Sequence, residues 1–283
     1  MKYKIILYYK YVEVENPKQL LKDQRSLCES LGLKGRIIIA GEGINGTLEG
    51  KAGKVDEYVK ALKADALFFD IDVKESEGNG MAFPKLSVKV RDEIVGSNLS
   101  DDINPAIDTG VHLESDLLHK WYENGEDFVV VDMRNDYEYV SGHFEKSINP
   151  QFSNFRDLPE KIEKAGVPRD KKVVTVCTGG VRCEKASAYL KKLGYKNVYQ
   201  LKNGMHKYLE KYPDGYFKGA LYVFDNRHTV RFHKDGEVVG KCEFCACPTE
   251  KYVDDDTSVP SRHILCCEKC FEEKVASGVT LRA

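Results

Sequence analysis

The chain has 283 residues, 42% hydrophobic and 31% charged, with a mean hydropathy of −0.45. That is too apolar for a disordered tail and too charged for a membrane protein. Its 43 Lys and Arg against 45 Asp and Glu leave a net charge of −2, so any polyanionic partner needs a local basic surface. At about 150 residues per domain, the length predicts two folding units and a small stabilised appendix. The apolar run in Met1 to Lys10 is too short for a signal sequence, and nowhere do eighteen apolar residues follow one another, so neither export nor a membrane span is expected. Six of the nine cysteines crowd between Cys242 and Cys270, which predicts a reducing cytoplasm and a metal knuckle rather than a secreted disulfide scaffold.

Taken in chain order, Tyr3 to Tyr11 is β-branched and aromatic, and Asn16-Pro17 caps a helix that runs to Leu31 and closes at Gly32. A buried strand, Gly35 to Ala40, turns through glycines into Ile44 to Leu48; Val55 to Leu62 has helical spacing, and a strand is expected near Ile71 to Val73. The order is that of a split βαβ, a ferredoxin-like (acylphosphatase-like) α+β domain over residues 1–95. Ser87 to Val95 adds an extended segment, and residues 96–110 read as a linker. Gly41-Glu42-Gly43-Ile44-Asn45-Gly46 spells GxGxxG, but the segment after Gly46 reads as a return strand and not a helix, so no dinucleotide site is expected. Asn45 reads as a turn residue, with ligand contact the less favoured role.

From 111 to 218 helices alternate with near-continuous apolar strands: helix Ser115 to Asn124, strand Phe128 to Asp132, strand Lys172 to Val176, helix Cys183 to Leu193 and strand Asn197 to Leu201. This pattern predicts a parallel α/β sheet covered on both faces, with its ligand at the carboxyl ends of the strands. Residues 219–283 follow as a small hairpin about Asp225 to His228 and a cysteine-rich tail, with Asp254-Asp255-Asp256 read as a solvated loop.

Cys177-Thr178-Gly179-Gly180-Val181-Arg182 lies directly after a buried strand and before a helix. Backbone N–H groups in such a loop form an anion cradle, and the helix N-terminus and Arg182 push the Cys177 thiol toward thiolate, the setting of a nucleophile. Four residues separate Cys177 from Arg182, a cradle suited to a sulfane sulfur rather than a phosphate. Cys183 reads first as a packing residue and second as a resolving thiol. Cys242-x-x-Cys245 and Cys267-x-x-Cys270, 21 residues apart, read as a tetrahedral zinc site that supplies folding energy to a tail too small for its own core, with Cys247, Cys266 and His263 as spare ligands. Lys202, His206, Lys207, Lys211 and Lys218, with Arg227, His228, Arg231 and His233 beside Tyr222 and Phe224, suit stacking and phosphate contact, or form an ordinary solvated face.

Residues from Val111 to Lys218 resemble a rhodanese domain: beside the loop, Val131-Asp132-Met133-Arg134 is similar to that family's Asp-x-Arg, and Gly142-His143 to its Gly-His pair. The resemblance implies a persulfide-forming Cys177, a loop Arg182, and Asp132 and Arg134 supporting the site; a purely structural ion pair is the alternative for those two, and His143 reads as a loop anchor. The three parts in order, together with Gly35 to Thr47, Cys177 to Cys183 and the tail CxxC pairs, resemble the tRNA uridine 34 hydroxylase family over essentially the whole chain. Membership implies oxygen-dependent conversion of the wobble uridine to 5-hydroxyuridine, with tRNA as partner, dioxygen as co-substrate and no DNA; no electron donor is assigned. Cys177 is then the catalytic nucleophile, as thiolate or persulfide. Two other readings stand beside it: a sulfurtransferase working through a Cys177 persulfide, and a non-catalytic binding module.

Overall fold

The computed structural model describes residues 2–99, 102–233 and 235–282. Parts of the expected linker (Ser100, Asp101) and hairpin region (Lys234), and the terminal Met1 and Ala283, lie outside the described residues. No helix among them is long and apolar enough to cross a membrane.

The first unit runs β1 (Tyr3–Tyr11), α1 (Pro17–Ser30), β2 (Lys34–Ala40), β3 (Gly43–Lys51), α2 (Ala52–Ala64), β4 (Val73–Gly78) and β5 (Leu86–Val90). Its sheet order is β4-β1-β3-β2-β5, with β5 parallel to β2, so the split βαβ order carries one added edge strand. The Asn16 side chain accepts the Gln19 N–H at 3.0 Å and starts α1 as a cap should. Because side chains alternate across a strand, Ile6, Tyr8, Ile37, Ile39, Ile44 and Leu48 pack under the two helices while Leu7, Tyr9, Arg36 and Ile38 face the other way. Two expectations shift here. The fourth strand starts at Val73 rather than near Ile71, which instead buries in the core; and of the extended segment Ser87 to Val95 only the part within β5, up to Val90, pairs.

The second unit comprises α3 (Pro105–Asp108), β6 (Val111–Leu113), α4 (Ser115–Glu123), β7 (Phe128–Asp132), α5 (Asp136–Tyr139), β8 (Gly142–Phe144), α6 (Leu158–Lys164), β9 (Lys172–Val176), α7 (Val181–Lys192), β10 (Val198–Leu201) and α8 (Gly204–Lys211). Strands β6-β10-β9-β7 form a wholly parallel sheet. Both faces are covered: Val131, Val173 and Val198 pack with Leu158, Ile162 and Leu190 on one side, and Val130, Val174 and Leu201 with Leu118 and Tyr208 on the other.

The remainder holds β11 (Phe217–Gly219), which pairs with β8, a short hairpin of β12 (Leu221–Tyr222) and β13 (Thr229–Val230), and a cysteine-bearing piece of β14 (Tyr252–Asp255), β15 (Arg262–Leu265), α9 (Glu268–Ala276) and β16 (Leu281–Arg282). The hairpin pairs over two residues a side, and its tip docks on the first unit: Asn226 bonds the Met81 and Ala82 carbonyls, and Arg227 the Glu77 carbonyl. Asp254 and Asp255 lie in β14 and not in a solvated loop, with Asp255 buried and capping Thr257.

Candidate active site

Strand β9 ends at Val176 and the chain turns through Cys177 to Gly180 into α7. Gly180 has φ +106°, and its N–H points at Cys177 Sγ, 3.1 Å away. The loop rests on the start of α8, where Met205 and His206 donate to the Cys177 and Thr178 carbonyls; a Cβ on Gly204 would sit 2.7 Å from that backbone. Burial alone raises a thiol, but here a hydrogen bond from Cys183, the Arg182 charge and the N–H groups of Arg182 and Gly180 outweigh it and bring Cys177 down to about 6. Cys183 is fully buried at the first turn of α7, its own thiol pushed up by burial and by Cys177.

Arg182 does not reach into open space. Both its terminal nitrogens bond Glu138, at 2.5 and 2.8 Å, and Glu138 is wholly buried. Sequence reasoning missed this carboxylate. Its signal was the spacing Asn135 to Glu138, a capping box in which Glu138 accepts the Asn135 N–H at 3.0 Å and starts the single turn of α5. Asp132 and Arg134 form a second, fully buried pair at 2.7 Å, and Arg134 also holds the Gly142 carbonyl. Neither lines the space in front of the thiol, so their geometry is that of a staple for the loops behind the cradle. His143 donates from Nδ1 to the Tyr139 carbonyl and stacks on the Tyr139 ring, with burial lowering its pKa.

Cys177 opens into a cavity of about 440 Å³ whose other wall is the helix-free face of the first unit's sheet. A Cβ on Gly179 would fall 2.7 Å from Leu7, and one on Gly180 2.7 Å from the Tyr9 hydroxyl, so β1 roofs the loop closely. The helix after the loop is tied to the same unit. Tyr9 donates to Glu184 at 3.0 Å, Tyr11 to the Val181 carbonyl at 3.1 Å, and the buried Lys185 pairs with Glu42 and Glu93 at 2.9 and 2.6 Å. Asn45 faces the cavity from within β3, not from a turn, and holds the Ile94 carbonyl.

The cavity wall is cationic. Arg36, Lys74, Arg156, Arg182 and Arg227 line it against, among the described residues, the single acid Asp225, which Arg227 engages. Arg36 and Arg156 are exposed and have no acidic partner among the described residues. The basic groups singled out by sequence behave differently: Lys202, Lys207, Lys211, Lys218, Arg231 and His233 pair with Glu114, Glu210, Asp116, Glu145, Glu250 and Asp214, as on an ordinary solvated face. His206 does line the cavity, nearly buried, with burial lowering its pKa to about 4. Tyr222 is buried among Tyr137, Tyr252 and His263, and burial lowers the His228 pKa; Phe224 reaches the cavity over Arg182.

In the tail, the Sγ atoms of Cys242, Cys245, Cys267 and Cys270 all lie within 4.8 Å of one another, with Cys245 and Cys267 3.7 Å apart. Zn–S bonds of about 2.3 Å at tetrahedral angles put sulfurs about 3.8 Å apart, so four thiolates so placed fit one metal ion. The spare candidates stand outside this group, with His263 on Asp254 at 2.8 Å. Arg262 pairs with Glu243, within the first CxxC.

Three family models match in order: a UPF0176 acylphosphatase-like domain over residues 3–94, a rhodanese-like domain over 114–211 and a rhodanese C-terminal region over 218–280. Among curated proteins, a tRNA uridine(34) hydroxylase of Bacillus licheniformis is 43% identical over 98% of this chain and 87% of its own length. One of Enterococcus faecalis is 42% identical over 99% and 90%. Of solved structures, a rhodanese-like domain from Anabaena (20% identity, TM-score 0.33) covers 38% of this chain and 78% of its own. A rhodanese-related protein from Thermoplasma volcanium (29% identity, TM-score 0.30) covers 36% and 92%.

Proposed function

The chain belongs to the tRNA uridine(34) hydroxylase family, and from that premise we propose that it hydroxylates C5 of the wobble uridine of tRNA with dioxygen as co-substrate, in the cytoplasm, using Cys177 as nucleophile. The observation that carries the reading is a depressed-pKa cysteine opening into a cationic cavity shared by two units. The C5 carbon of uracil resists oxidation while C5=C6 is conjugated to the C4 carbonyl. Cys177 Sγ adds to C6, and the displaced electron pair spreads over C5 and O4 as an enolate. C5 then accepts one oxygen atom from dioxygen; the other leaves as water, with two electrons and two protons drawn from an external reductant. Loss of the C5 proton expels the thiolate and restores the double bond.

For the base to reach Cys177 it must leave its stack, as bases in single-stranded loops readily do. Exposed Arg36 and Arg156 suit the flanking phosphates, and Phe224 offers a ring beside Arg182. The Glu138 clamp holds Arg182 as a fixed dipole against the loop, leaving the main-chain N–H groups as the cradle for negative charge. Asp132 and Arg134 serve as positioning residues. Cys242, Cys245, Cys267 and Cys270 hold a structural zinc.

A plain sulfurtransferase would use the same loop. The cavity, lined by Arg36 from the first unit and Arg156 from the second, neither with an acidic partner among the described residues, favours a larger polyanionic substrate. The test is nucleoside mass spectrometry of tRNA from cells lacking the protein, grown with and without oxygen: 5-hydroxyuridine at position 34 should be missing in the aerobic cells and return with the wild-type chain. A Cys177→Ser chain that restores it would overturn the nucleophile, and unchanged 5-hydroxyuridine without the protein would overturn the reading.

A further inference from the structure

Addition of Cys177 to C6 puts negative charge on the uracil O4, and a site built for that step needs a donor placed where the charge appears. The cavity's cations can be sorted by what they already hold. Arg182 has both terminal nitrogens on Glu138. Arg227 has Nε and Nη2 on Asp225 and Nη1 on the Glu77 carbonyl. Burial keeps His206 neutral at ordinary pH. Arg36 and Arg156 are exposed, as phosphate contacts at a rim would be.

Lys74 is different. It is 3% exposed, an uncommon state for a lysine, and lies on the cavity-facing side of β4. Its direct cross-strand neighbour is Leu7, the residue packed on Gly179 of the cysteine loop. Its ammonium sits 5.3 Å from the ring centroid of Tyr9, whose hydroxyl roofs Gly180. Asp72 at 3.5 Å is its one acidic contact among the described residues, and that carboxylate is itself 52% exposed. Burial lowers its pKa while Asp72 and the Cys177 thiolate act the other way, and as an ammonium with three N–H groups and one long contact it has donors to spare. Keeping it so is costly unless something in the cavity accepts from it.

We propose that Lys74 is a catalytic residue contributed by the N-terminal unit, its ammonium donating to O4 of the bound uracil as the C6 adduct forms. The inference rests on the hydroxylase reading but concerns only the addition step, which needs neither oxidant nor reductant. In D₂O without dioxygen, reversible addition of Cys177 at C6, deuteration at C5 and loss of the C5 proton with the thiolate exchange the C5 hydrogen of uridine 34.

The experiment follows that exchange by mass spectrometry, using the full chain and an unmodified tRNA transcript. Lys74→Met should lower the exchange rate at saturating RNA by about 100-fold, the loss seen when an oxyanion donor is removed. Its RNA affinity should stay within about threefold, and the pH midpoint of Cys177 alkylation should not move. Methylammonium should restore exchange to Lys74→Ala by about tenfold, which a merely structural lysine would not allow. Exchange by Lys74→Met at the wild-type rate, a loss explained by a moved Cys177 midpoint, or a Lys74→Ala chain that no alkylammonium restores would each overturn the proposal. Wild-type protein that exchanges nothing would overturn the addition mechanism as well; wild-type exchange with an unaffected Lys74→Met overturns Lys74 alone.

Discussion

Two cysteine sites stand in this chain, both announced by short spacings, and they are completed in different ways. The four tail thiols come within 4.8 Å of one another from one stretch, Cys242 to Cys270, on a turn, a strand end and the first turn of α9. Cys177 has a local cradle, but its clamp comes from Glu138, its floor from α8 and its roof from β1, some 170 positions away in the chain. A metal site needs only like ligands at tetrahedral distances, which one loop pair can supply. A reactive thiolate must also be desolvated, compensated and given a cavity for its partner, and that takes several elements.

The largest effect should separate the two sites. Stripping the metal, or Cys245→Ser, should unfold the tail, since thiolate binding of zinc is worth about 10 kcal/mol or more of folding energy. Hydrogen exchange should then report loss of protection in β14, β15 and α9, and the alkylation midpoint of Cys177 should stay put, because Glu138 is held by its own capping box. A midpoint that moves with metal content would break the contrast. Glu138→Gln strikes the other site: it leaves the Arg182 guanidinium buried without its counter-charge, a loss of about 3–5 kcal/mol by chemical denaturation, and it should leave zinc content unchanged.

A matched pair of glycines sharpens the comparison further. Gly180→Ala meets both φ +106° and the Tyr9 hydroxyl at 2.7 Å and should cost about 2–3 kcal/mol together with most of the activity. Gly278→Ala in the tail has φ +86° and nothing within 4 Å, so thermal unfolding should register only about 1 kcal/mol of backbone strain. Equal losses would mean that the roof over the cradle is loose. The smallest effect is a titration. Iodoacetamide should modify Cys177 at a rate that falls as pH drops through about 6 and levels off above it, because the thiolate is the reacting form. Cys28, whose thiol burial pushes up to about 12, should stay unmodified across the same range.

Reading from residues alone found the elements whose signals are local. Alternation marked β1 and β7, Asn16-Pro17 marked the start of α1, and the strand-loop-helix setting marked Cys177. It missed Lys74, Arg36 and Arg156, because each is an ordinary basic residue on a strand or a short helical turn until the cysteine loop is laid against the open sheet face. It gave weight instead to lysines near α8, whose acidic partners, such as Asp116 for Lys211 and Glu114 for Lys202, lie some 90 positions upstream. Asp255 was misplaced for the same reason: three aspartates in a row look solvated unless the pairing of β14 with β15 is known.

The order of strands and helices, the anion-cradling loop and the four metal-fitting cysteines are legible along the chain, since side-chain period, turn chemistry and ligand spacing act over a few residues. Folding in three dimensions sets which charges are compensated, buries α7 on the side where Glu184 and Lys185 meet the first unit, and opens the thiol into a cavity walled by another domain. Desolvation and charge pairing depend on distance in space, and residues far apart along the chain carry no local mark of the neighbours that folding will give them.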